Sequence, residues 1–279
     1  MQAAITHIRE SLSDLYPEQE LLSISRLLIS KVTGFSFTEI LLNKNTIFSL
    51  YQRQLIDNYL TELRKHRPIQ YVLGETEFCE LTFDVNEAVL IPRPETEELV
   101  EWIVRKEPSE VKILDLGTGS GCIPIALKKL MPQASVSACD LSLDALKVAH
   151  SNAVKNGVVV DFFQLDILNE IPNDGLYDCL VSNPPYIPIR EKAEIAVGVK
   201  DFEPEMALFV PDDDPLLFYR SIALMGHKVL REGGRVYLET HRDYALYVLK
   251  LYEKLNYTDV EIKKDIAGND RMVRAVKNK

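Results

Sequence analysis

From residue 111 onward, short apolar runs alternate with helical patterns, and this alternation restricts the fold more than any other feature of the chain. The runs are VKILDL, SVSACD, VVVDFF, YDCLVS and GRVYLE, interleaved with helices that end near Leu130 and Asn156 and one over about 215–231. Strands covered on both sides read as continuous apolar segments, so the order predicts a mostly parallel sheet with helices on both faces. Asn256 to Ile262 and Met272 to Val276 read as closing strands with antiparallel pairing, which makes the sheet seven-stranded.

Upstream the period changes. From residue 3 to about 73, apolar residues recur at helical spacing, as in Ile5, Ile8 and Leu12 or Leu55, Tyr59 and Leu63, with stops at Gly34 and at Asn43 to Asn45. Residues 1–75 are therefore expected to form a small helical bundle. The segment EFCELTFDVNEAVLI then alternates apolar and polar positions about Asn86-Glu87, which predicts a hairpin with its turn there. Two prolines in Ile91-Pro92-Arg93-Pro94-Glu95 fix an extended lead-in to a helix over about 96–107. The expected organisation is a bundle over 1–75, a hairpin linker over 76–94 and an α/β domain over 95–279.

Asp115-Leu116-Gly117-Thr118-Gly119-Ser120-Gly121 follows the first apolar strand and opens a helix. Glycines there let the backbone approach a ligand, and the helix N-terminus presents free N–H groups, so a nucleotide-type ligand is expected. The spacing is GxGxG rather than the GxGxxG of a dinucleotide site, which argues against a pyrophosphate and against an NAD-dependent oxidoreductase. Asp140 ends the next strand, 19 residues beyond Gly121, where a carboxylate can accept from both hydroxyls of a ribose. Its competing use is to cap the following helix, although Ser142 is available for that. Asp166 ends the third strand pattern and is placed to meet an adenine amino group. The three together point to adenosine without pyrophosphate.

Ser182-Asn183-Pro184-Pro185-Tyr186 closes the strand YDCLVS. Two prolines cannot continue a ladder, and they hold the neighbouring carbonyls in fixed directions at the carboxyl edge of the sheet, where such folds bind ligands. The Asn183 side-chain oxygen and the Pro184 carbonyl can each accept one hydrogen of a planar NH2 group, with Tyr186 over its face.

These motifs resemble those of class I S-adenosylmethionine-dependent methyltransferases, in the branch that methylates planar amino or amide nitrogens. Further segments are similar to the PrmC/HemK family: Arg67 to Gly74, Leu90 to Glu97, Phe202-Glu203-Pro204 with Ala207-Leu208, and Gly268 to Arg271. That family comprises the N5-glutamine methyltransferases of class 1 peptide chain release factors, and the likeness is strongest over 67–123 and 178–208. It implies S-adenosyl-L-methionine as cofactor, held by Gly117, Thr118, Gly119, Ser120, Gly121, Asp140, Asp166, Ile167 and Asn183. It also implies Asn183, Pro184 and Tyr186 as catalytic, and Asn183 to Tyr186, Pro185 included, as the substrate contact. Two positions depart from the pattern. Ile167 stands where an aromatic residue is common, and Glu239-Thr240-His241 replaces Glu-x-Gly.

The function expected from this resemblance is methylation of the glutamine in the Gly-Gly-Gln motif of release factors. An adenine-N6 methyltransferase acting on DNA or RNA is the alternative, and a non-catalytic binding scaffold is the reading outside the enzymes. With 32 Lys and Arg against 42 Asp and Glu, the net charge of −10 lacks the basic balance of a duplex binder, so no direct nucleic-acid binding is expected. Four scattered cysteines and five histidines show no metal-ligand spacing, and no metal is expected. The start lacks an apolar leader, and no apolar run approaches the ~18 residues of a membrane span, which predicts a cytoplasmic protein.

Overall fold

A computed structural model describes residues 1–173 and 175–278. The chain divides into two units, Met1–Gly74 with Ala196–Phe202, and Glu75–Ile195 with Glu203–Lys279.

The first unit is helical: α1 (Gln2–Leu12), α2 (Glu18–Thr33), α3 (Phe37–Leu42), α4 (Leu50–Leu63) and α5 (Ile69–Leu73). Ile8, Leu12, Leu28, Ile29 and Leu63 are buried in a common core. Gly34 ends α2 in the left-handed region at φ 74°, a conformation that costs a residue with a Cβ. Ser36 and Ser49 each form a capping box, with Glu39 and Gln52 respectively, which starts α3 and α4. The sequence pattern runs α3 and α5 into their neighbours, because five or six residues are too few to show a helical period of their own.

The second unit opens with the hairpin β1 (Glu75–Phe78) and β2 (Leu81–Asp84), followed by α6 (Pro94–Lys106). The hairpin turn is Cys79-Glu80, both at positive φ (49° and 61°), not Asn86-Glu87 as the alternation suggests. Neither turn residue is one that favours this conformation, so the turn carries no local signal. Nor does the hairpin stand apart as a linker. Phe78 and Phe83 are fully buried with Leu99 and Ile103 of α6, the Cys79 N–H donates to Glu97 Oε1 at 3.1 Å, and Asn152 holds both backbone polar groups of Asp84.

The sheet strands are β3 (Lys112–Leu116), β4 (Ser135–Asp140), β5 (Asp161–Gln164) and β6 (Tyr177–Ser182), with α7 (Cys122–Leu130) after β3 and α8 (Leu143–Lys155) after β4. Next come the short β7 (Ile187–Pro188), α9 (Val197–Phe202) of the first unit, α10 (Glu205–Leu208) and β8 (Phe209–Val210). The chain closes with α11 (Leu217–Val229), β9 (Leu230–Glu239), α12 (Ala245–Lys254), β10 (Tyr257–Lys264) and β11 (Asp270–Lys277). The seven strands lie in the order β10-β11-β9-β6-β3-β4-β5, parallel from β9 to β5, with β10 and β11 antiparallel as expected. Successive strand residues face opposite ways: Ile113 packs with α6 and α7, and Leu114 with α11 and α12. The chain leaves β3 toward β4 on one side and reaches β6 on the other, so a crevice opens beyond the carboxyl ends of β3 and β6.

Candidate active site

The glycine loop is pinned before any ligand enters. The N–H groups of Gly117 and Thr118 both donate to the Cys139 carbonyl at 2.9 Å, which ties the loop to β4. Gly121 precedes α7 at φ 80°, and a Cβ there would lie 3.0 Å from both Ala149 Cβ and Ile125 Cδ1. Its place in the motif is therefore set by close packing of α7 on α8. Asp140 accepts from the Gly119 N–H at 2.8 Å and from the Ser142 N–H at 2.9 Å, while the Ser142 hydroxyl caps α8. The Asp140 side chain thus joins the loop to the end of β4, and each oxygen keeps a second lone pair. Burial holds its carboxyl above the ordinary range, against the backbone bonds that favour its charge.

The proline corner lies beside this loop because β6 runs next to β3, and the Ser182 hydroxyl donates to the Leu116 carbonyl at 2.6 Å. Both motifs open on one cavity of about 360 Å³, in the range of small-molecule sites. Gly117 to Ser120, Asp140, Asp166, Ile167 and Asn183 to Pro185 all line it.

Two predicted residues do not line it. Gly121 packs helices, as above. Tyr186 turns its hydroxyl to the buried carboxylate of Glu239 at 3.3 Å, and its ring lies 6.0 Å from that of His241. The phenol is held by a fixed acceptor, and Tyr186 is not among the residues that line the cavity. Asp166 lines the cavity, and each of its oxygens takes one bond within its own turn, from Leu168 N–H and Asn169 Nδ2 at 2.8 Å each, which leaves a second lone pair on each. Ile167 contributes an aliphatic wall against Gly117.

Sequence reasoning passed over the residues that tie the corner to the rest of the site. Asn183 Nδ2 donates to Thr96 Oγ1 at 3.2 Å, and the Thr96 hydroxyl donates to Glu239 Oε2 at 2.6 Å. Glu239 is almost fully buried, and burial raises its carboxyl pKa, which Thr96 and Arg271 oppose. Arg93 Nη2 pairs with Glu203 Oε1 at 2.7 Å, and Glu203 Oε2 takes the Ile91 N–H at 3.2 Å. The Pro-Arg-Pro lead-in and the Phe-Glu-Pro segment are thereby one clamp. Glu95 is half-buried and its charge adds to the rise at Glu239. Asn152, fully buried on α8, also donates to the Ser120 carbonyl at 2.9 Å, so one amide fixes both hairpin and glycine loop. Its only sequence signal is an asparagine on the inner face of a helix. Asp115, deepest of the acids, is pushed up to about 7 by burial, with the Asp140 charge adding and the nearby Thr118 hydroxyl opposing. Among the described residues, no group of three or more His, Cys, Asp or Glu is arranged to hold a metal ion.

Two family models match the chain, the methyltransferase small domain over residues 92–200 and the PrmC N-terminal domain over residues 3–74. The release factor glutamine methyltransferase of Bacteroides thetaiotaomicron is 43% identical over 276 residues, covering 99% of each chain. The chain belongs to the release factor glutamine methyltransferase family. A second family member, from Flavobacterium psychrophilum, is 41% identical over 96% of each chain. In fold, a methyltransferase from Pyrococcus furiosus matches with a TM-score of 0.53 at 17% identity, over 83% of this chain and 100% of that one. As in class I methyltransferases, the family's cofactor is S-adenosylmethionine, and the residues present fit it. The cavity sets an acid with spare lone pairs, Asp140, against an aliphatic wall at Leu165, Ile167 and Leu168. A ribose diol and an adenine face need those two surfaces.

Proposed function

We propose that this protein transfers the methyl group of S-adenosylmethionine to the side-chain amide nitrogen (N5) of the glutamine in the Gly-Gly-Gln motif of class 1 peptide chain release factors. The observation that carries the reading is the single cavity shared by the glycine loop and the Asn183-Pro184-Pro185 corner. The cofactor supplies an electrophilic methyl on a sulfonium.

The chain's own residues supply position. An amide nitrogen is a poor nucleophile because its lone pair is delocalised into the carbonyl, and no side chain removes its proton near neutral pH before attack. Asn183 Oδ1 and the Pro184 carbonyl each accept one amide hydrogen, so partial negative charge stands where positive charge grows in the transition state. The prolines keep the backbone of the corner, the Pro184 carbonyl included, from turning away. Gly117 to Ser120 and Asp140 hold the cofactor, Ile167 packs against its base, and Asp166 meets the adenine edge with a spare lone pair. Fixing both reactants at attack distance contributes several kcal/mol, up to about 7–11 in ideal intramolecular models.

The N-terminal helical unit serves as the recognition surface for the release factor. Phe37, Leu41, Leu42, Ile47, Leu50 and Tyr51 are all exposed there within fifteen residues of sequence, more apolar surface than solubility favours. The acidic net charge disfavours duplex nucleic acid as the partner, and the release factor is met in the cytoplasm. Mass spectrometry of release factor incubated with the protein and S-adenosylmethionine tests the reading. One added methyl on the glutamine of its Gly-Gly-Gln loop is expected. Methylation of DNA in its place, or no transfer at all, would refute it.

A further inference from the structure

Asn183 must present its oxygen, not its nitrogen, to the methyl acceptor, and a free asparagine amide can turn either way. The surroundings of Asn183 remove that freedom. Its neighbour Thr96 lines the same cavity, and Thr96 Oγ1 lies 2.6 Å from Glu239 Oε2. Glu239 is 1% exposed, and its other oxygen receives the Tyr186 hydroxyl. In the ionised form that the Arg271 charge favours it has no hydrogen to give, so both hydroxyls donate to it. Thr96 has one proton, and that proton is committed to Glu239. Toward Asn183 it offers only lone pairs, and the group facing it at 3.2 Å must be the NH2. Reversing the amide would set two acceptors against each other.

We propose that Thr96 and Glu239 are positioning residues that lock the Asn183 amide with Oδ1 free for the substrate. This rests on the reading of Asn183 as the acceptor of the glutamine NH2. The lock sets the sign of the interaction. A reversed Asn183 places a partly positive NH2 beside a nitrogen that is becoming positive, which opposes transfer instead of assisting it. Arg271 helps keep Glu239 ionised, and Glu95 and burial work against it. Tyr186 acts here as the second donor that completes the carboxylate.

The test compares Thr96→Val, Thr96→Ser and Asn183→Ala in the full-length protein, reading kcat on release factor and the dissociation constant of S-adenosylmethionine. Valine keeps the shape and removes the hydroxyl, so kcat should fall ~10-fold or more while cofactor affinity stays within ~2-fold. Serine restores the hydroxyl and should return kcat to within ~3-fold of wild type. A role confined to packing gives the opposite ranking, because serine lacks the methyl that valine retains. Unchanged kcat in Thr96→Val, or equal damage in Thr96→Ser, overturns the lock. If Asn183→Ala loses activity while Thr96→Val does not, the lock alone is wrong. If Asn183→Ala keeps activity, the functional reading beneath it is wrong. Should Thr96→Val not fold, Thr96→Val/Glu239→Gln leaves no buried charge without its partner, and the same thresholds apply to it.

Discussion

The carboxyl edge of the sheet and the N-terminal helical unit treat polar and apolar groups in opposite ways. At the sheet edge, the acids Asp115, Asp140, Glu203 and Glu239 are buried or nearly so, and the last three take hydrogen bonds from far along the sequence or from the adjoining loop. In the helical unit, polar side chains cap helices or form exposed ion pairs, and large apolar side chains face water. Burying a charge is costly unless something requires it there, and exposing leucine is costly unless something covers it. Under the function proposed above, the first region orients a reaction and the second meets the release factor.

The largest expected effect tests whether the deep acids strain the fold. Asp115 has its carboxyl pushed up to about 7 by burial. In the pH interval between its unfolded value, near 4, and about 7 the folded state holds a proton that the unfolded chain has released. Stability therefore falls as pH rises through that interval and levels off above it, by at most about 4 kcal/mol. In Asp115→Asn the slope should become shallower in chemical denaturation curves run across that range, with Asp140 and Glu239, raised in the same direction, keeping what remains. If wild type and variant keep parallel pH profiles, burial is not straining this group.

Next in size is the chemistry of the corner. Asn183→Ala is expected to lose at least ~100-fold in kcat, equivalent to about 2.7 kcal/mol, with cofactor affinity little changed. Calorimetric titration with S-adenosylmethionine beside a steady-state assay separates the two. A variant that loses cofactor binding in proportion would make Asn183 a cofactor contact and no more.

How much of this was legible depended on whether a feature is local. The glycine loop and the proline corner stand out because their backbone demands are met by residues next to one another. The mostly parallel sheet followed from alternation, but its strand order did not. The hairpin turn was misplaced because Cys79 and Glu80 adopt positive φ without being residues that favour it. Thr96 and Glu239 are 143 positions apart, Asn183 and Thr96 87, and Asn152 and Asp84 68. No periodicity records such pairings, although Glu239 did draw notice as part of a departure from the family pattern. Nor does anything local show that the Tyr186 hydroxyl finds its acceptor at Glu239, 53 positions away.

The exposed apolar side chains of the helical unit, the proposed recognition surface, give the third effect. Leu42, Ile47 and Leu50 are 78%, 84% and 74% exposed, so replacing all three with serine removes little packing. The triple variant should raise KM for release factor ~10-fold, about 1.4 kcal/mol, while kcat and cofactor affinity hold. An unchanged KM would leave these residues as exposed surface only and move recognition elsewhere.

The smallest effect is the sharpest on the contrast itself. His7 Nε2 lies 2.8 Å from Asp57 Oδ1, nearly as close as Thr96 is to Glu239, but their side chains are 53% and 61% exposed. Water solvates both partners whether or not they meet, and ordering two mobile side chains offsets the attraction. Asp57→Asn should therefore change stability by less than about 0.5 kcal/mol, and less still in high salt. Urea denaturation at two ionic strengths measures this. Suppose the loss instead matched that of Thr96→Val. Burial would then not be what separates the two regions, and the carboxyl edge would lose its claim to be organised for orientation, because contacts of equal length would count equally wherever they lay.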